Sequence, residues 1–111
     1  MRNIYIVNAL QIVVSEQNPQ GVLSTVPNYP KDFDSRDYKA TKDNPNGDEE
    51  IALMAAQAEF SNEIVTLATA NNANRVGWSV SITRGSDGKQ LYVRSFGAFP
   101  DMTPTEAEEA E

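Results

Sequence analysis

Only one stretch of the chain, residues 48–70, repeats its apolar side chains at the spacing of an α-helix. Leu53, Met54, Gln57, Phe60, Ser61, Ile64, Leu67 and Ala68 fall along one stripe. A helix of roughly 22 residues is about 33 Å long, enough to cross a whole sheet. A lone helix of this kind has only extended segments to bury its stripe against, so a helix-on-sheet architecture is the economical solution. Asp48 reads as its N-cap, and Glu49 and Glu50 put negative charge where the helix dipole favours it. The run Asn71-Asn72-Ala73-Asn74 offers a left-handed C-cap.

The remaining segments supply the sheet. Residues 3–15 are rich in β-branched side chains. Ile4, Ile6, Leu10, Ile12 and Val14 line one face, interrupted by Asn8, and Tyr5, Val7, Ala9, Gln11 and Val13 line the other. A strand apolar on both faces reads as a central one, or one whose second face meets something else. A turn at 16–21 leads to a shorter strand at 22–26, which Pro27 and Pro30 end because proline cannot donate to a ladder. Residues 31–47 read as a long polar excursion anchored by Phe33 and Tyr38. In residues 75–83, Val76, Trp78, Val80 and Ile82 alternate with Gly77, Ser79, Ser81 and Thr83, a half-buried strand. Gly85-Ser86-Asp87-Gly88 turns the chain into a return strand at 89–99. The expectation is an α+β fold of order β-β-α-β-β, a four-stranded, mainly antiparallel sheet with one long helix across one face.

A chain of 111 residues fits one domain. That domain is assigned to residues 1–100, with residues 101–111 as an acidic, disordered tail. The tail holds Asp101, Glu106, Glu108, Glu109 and Glu111 and no Lys or Arg. Removing those five from 16 acidic residues leaves 11 against nine basic ones, so the net charge of −7 falls to about −2 in the body. A nearly neutral body gives no long-range field for a polyphosphate backbone, which makes nucleic acid a poor partner. The first 14 residues carry one positive charge, but Asn8 and Gln11 break the apolar run and no cleavage-site pattern follows. No stretch reaches the roughly 20 apolar residues of a membrane span. A cytoplasmic location without membrane contact is the default expectation.

Chemistry is scarce. With neither histidine nor cysteine, the chain lacks the commonest general base, the commonest metal ligand and the strongest protein nucleophile. Asp32, Asp34, Asp37 and Asp43 crowd the polar excursion, but Lys31, Arg36 and Lys39 interleave them and no calcium-loop pattern is met. The reading is a non-enzyme with no catalytic residue, no metal and no cofactor. If the helix covers Val76, Trp78, Val80 and Ile82, then Tyr92, Arg94, Phe96 and Arg84 face away from it, and Tyr5, Val7 and Val13 join them in the matching register. Aromatic and arginine side chains of this kind are enriched in desolvated protein interfaces. The expected partner-binding residues are therefore Tyr92, Arg94, Phe96, Arg84 and Tyr5. The function expected is that of a small structural or adaptor protein, of a size suiting a minor component of a bacterial or phage particle, that self-associates or docks on a protein. The alternatives are an acidic inhibitor that imitates nucleic acid, using Asp32, Asp34 and Asp37, and a single-strand nucleic-acid-binding module.

Overall fold

A computed structural model describes residues 3–70 and 72–97. The acidic tail and the end of the expected last strand lie outside these residues. Strand β1 (Ile4–Val13) pairs antiparallel with everything beside it. On one side it meets β4 (Arg75–Arg84), which in turn pairs with β5 (Gln90–Gly97). On the other side it holds two short strands end to end, β2 (Val22–Thr25) against Leu10 to Val13 and β3 (Lys31–Asp34) against Ile4 to Val7. The sheet thus has five strands rather than four.

The extra strand corrects the reading of residues 31–47 as irregular. Pro27 and Pro30 do interrupt the ladder, yet Val26 still donates its N–H to Ala9 O at 2.8 Å. After the interruption the outer edge of the ten-residue β1 still has unpaired length, and Lys31–Asp34 takes it. The excursion then begins with one 3-10 turn at Ser35–Asp37. Buried Ser35 ties this turn down: its Oγ accepts from Asn3 N–H at 2.8 Å and donates to Asn46 O at 2.7 Å. Gly47 closes the loop at φ +74°, where a Cβ would lie 1.8 Å from Ser35 O. Phe33 and Tyr38 anchor the region as expected, packing against the core.

Helix α1 (Glu49–Thr69) starts where the sequence places it, with the Asp48 carboxylate accepting from Ile51 N–H at 3.1 Å. At the other end Ala70 leaves in extended conformation, φ −69° and ψ 139°, and none of Asn72, Ala73 and Asn74 has positive φ, while Asn71, the first residue of the expected left-handed cap, lies outside the described residues. The buried stripe differs from the expected one. Ala52 and Ala56 are fully buried and Leu67 nearly so, flanked by Leu53, Phe60 and Ile64, whereas Met54 is 64% exposed. Alanine brings the helix backbone close to the sheet, so small residues rather than the bulkiest take the contact line.

The helix covers the face of the sheet carrying Tyr5, Val7 and Ala9 of β1 and Trp78, Val80 and Ile82 of β4. Each fully buried Val or Ile contributes about 1.5–3 kcal/mol relative to exposure. Val76, expected in this row, is 38% exposed, because a register shift between Ile12 and Val13 displaces that end of β4. The opposite face carries Ile4, Ile6, Leu10 and Ile12 beside Ser79, Ser81 and Thr83. Among the described residues no helix lies on it.

Candidate docking edge

The register of β4 against β5 fixes where the expected interface residues point. Arg84 N–H donates to Lys89 O at the hairpin mouth, and Thr83 pairs with Gln90. Continuing that count would set Ile82 against Leu91 and Val80 against Val93. Instead a bulge inserts Leu91 as an extra residue, and Ile82 pairs with Tyr92, Val80 with Arg94 and Trp78 with Phe96. Residues opposite each other in an antiparallel pair share a face. Tyr92, Arg94 and Phe96 therefore lie on the helix side, not away from it, and Val93 lies on the uncovered face beside Ser81. The one-residue slip reverses the side chains of the strand from Tyr92 onward, while Leu91 still packs against the core.

The helix does not cover this row completely. Tyr92 is 42% exposed; its hydroxyl accepts from Gln57 Nε2 at 2.8 Å and its ring lies 6.0 Å from that of Phe60. Phe96 is 64% exposed and stacks on Trp78, with ring centroids 5.8 Å apart and planes 22° apart. Arg94 stands exposed between them and has no carboxylate partner among the described residues. At the end of the row a cleft of about 220 Å3 runs between the helix C-terminus and the sheet, lined by Leu67, Arg75, Trp78 and Phe96 among others.

The other two expected residues belong elsewhere. Tyr5 is 3% exposed, so it cannot offer its ring to a partner. Its hydroxyl donates to Glu49 Oε2 at 3.1 Å, beside Asn3 Nδ2 at 2.9 Å. Burial first, then this carboxylate, pushes the Tyr5 hydroxyl pKa up. The Asn3 amide, with help from Tyr5 and against the opposing effect of burial, holds Glu49 below the usual carboxylate range. Arg84 grips Asp87 within the hairpin, Nη2 at 2.8 Å and Nε at 3.1 Å, which lowers Asp87 to about 2. Both residues fasten the fold at the helix N-terminal end of the sheet.

A second polar cluster went unread in the sequence. The Tyr29 hydroxyl lies between the carboxylates of Glu59 and Glu63, reaching Glu63 at 3.0 Å, while Lys31 Nζ meets Glu59 at 3.0 Å and sits 5.0 Å from the Tyr29 ring centroid. The i, i+4 spacing of the two glutamates was its available signal. It pins the outer sheet edge to the helix. Among the described residues no three His, Asp or Glu side chains gather as a metal cluster, and no helix is long and apolar enough to cross a membrane.

The two edges of the sheet are unlike. The β2/β3 edge consists of two four-residue strands separated by Pro27 and Pro30. The β5 edge runs eight residues without proline, and its outer side has no strand partner among the described residues. Short strands and prolines are the usual protection of an exposed edge. Comparison with protein-family models, curated proteins and solved structures finds no match to this chain.

Proposed function

We propose that this chain is a small interaction protein that docks on another protein, or on its own kind, through the β5 edge and the Tyr92–Arg94–Phe96 row. The observation that carries the reading is the asymmetry of the sheet: one edge is broken by prolines, while the other is continuous and carries, between two exposed rings, an arginine with no carboxylate partner among the described residues. Strand addition to such an edge draws affinity from main-chain hydrogen bonds and specificity from alternate side chains. The test measures solution mass by light scattering over a range of concentrations and salt, followed by affinity capture of partners. Phe96→Ala and Arg94→Glu are expected to abolish either association without unfolding the protein. Association that survives both substitutions, or none of either kind, would overturn the reading.

A second reading draws on the continuity of the surface. Phe96, Trp78 and Arg75 line one cleft, and Arg94 lies beside it on the same face, an arrangement on which single-stranded bases could stack. It is the weaker reading, since Arg75 Nε already donates to Gln11 at 2.9 Å and the body charge is slightly negative. Titration with single-stranded oligonucleotides at low salt separates the two: binding that falls steeply with salt supports the second reading, and no binding at low salt removes it.

A further inference from the structure

Resting on that reading, the geometry points to a second copy of this chain as the occupant of the β5 edge, in a two-fold antiparallel pairing centred on Ser95. Symmetry narrows the choice. Two copies joined edge to edge as antiparallel strands are related by an axis perpendicular to the sheet, so both helices lie on the same face. Equal faces require that Arg94 lie opposite another helix-side residue of β5, namely Tyr92, Arg94 or Phe96.

Centring on Arg94 sets the two guanidinium groups against each other, and like charges directly opposite are destabilising. Centring on Val93 places Arg94 over Tyr92 but draws Gln90 and the bulged Leu91 into the new ladder, where the backbone is irregular. Centring on Ser95 pairs residues 93–97 with 97–93, clear of the bulge, with only the terminal Gly97 in left-handed conformation at φ +73°. It sets Arg94 of each copy against the exposed Phe96 ring of the other, twice, and Val93 against Gly97. Arginine over an aromatic face is a favourable contact that needs no carboxylate. The β5 strand contains no acidic residue, so this is the charge complement that a second copy can offer from the edge itself. Because the β2/β3 edge is broken, assembly closes at two rather than growing into a fibre.

The absence of cysteine makes the register directly testable. Wild-type protein is expected to rise from its monomer mass of 12.2 kDa to twice that value with concentration, and no further. Ser95→Cys, whose introduced thiols meet across the axis, is expected to cross-link to itself under mild oxidation faster than Val93→Cys. Arg94→Glu is expected to weaken the dimer about tenfold or more through loss of both arginine–ring contacts. A mass that stays monomeric at all concentrations overturns the inference, as does faster cross-linking at position 93 or a dimer indifferent to Arg94→Glu. A monomer that captures an identified protein through Arg94 would overturn this pairing while leaving the proposed function standing.

Discussion

Glu49 does two jobs at the start of the helix. It places charge in the first turn, and it gathers Asn3 and Tyr5 from the first residues of the sheet. A carboxylate held below its ordinary pKa contributes stability that is complete above the unfolded value and disappears as the pH falls through the lower, folded one. The urea midpoint of Glu49→Gln should therefore fall below that of the wild type at neutral pH. That gap is expected to stay constant down to about pH 5 and to close below about pH 4, where protonated Glu49 resembles glutamine. A gap unchanged in acid would mean that the charge plays no part. Asp48, Glu49 and Glu50 were legible as a helix start because capping is local chemistry. The Glu49–Tyr5 bond was not, since 44 residues separate its partners.

The same limit shows at the scale of elements. Every helix and strand of the sheet reading was found, because periodicity is a property of adjacent residues. What the sequence does not show is the short strand β3 and the features that depend on a single-residue offset. Nothing in Lys89-Gln90-Leu91-Tyr92 announces the bulge, yet it turns Tyr92, Arg94 and Phe96 from the uncovered face to the helix side. Likewise the apolar stripe of α1 was traced through its largest residues, whereas the contact line runs through Ala52 and Ala56. That line has a measurable consequence. Ala56→Leu, harmless by helix propensity, is expected to cost about 1–3 kcal/mol by overpacking, read from chemical denaturation. A neutral result would show that the helix does not sit as close to the sheet as described.

For the molecule as a whole, the decisive property is that the helix packs one face of the sheet while no helix among the described residues packs the other. Val7 is fully buried beneath the helix, while its neighbour Ile6 is half-buried on the uncovered face. Val7→Thr is expected to cost about 1–3 kcal/mol for burying a hydroxyl in an apolar site, and Ile6→Thr distinctly less. Equal losses would imply that the second face is also covered. The two-sided apolar pattern of the first strand reads either as a central strand or as one whose second face meets something else; β1 is central, with β4 on one side and β2 and β3 on the other, and no residue in the strand names those neighbours.

The pairing of β1 with β4 carries one more consequence, for biosynthesis. Tyr5 meets Arg84, so the central ladder joins segments separated by most of the chain. On a ribosome the first strand emerges with its best partner still unmade, and β2 and β3 can cover only its outer edge. Until residue 84 leaves the exit tunnel, Val7 and Ala9 have no sheet neighbour on their inner side. A sheet of this topology closes only after the helix has been made, and the nascent first strand is the segment a chaperone would have most reason to hold.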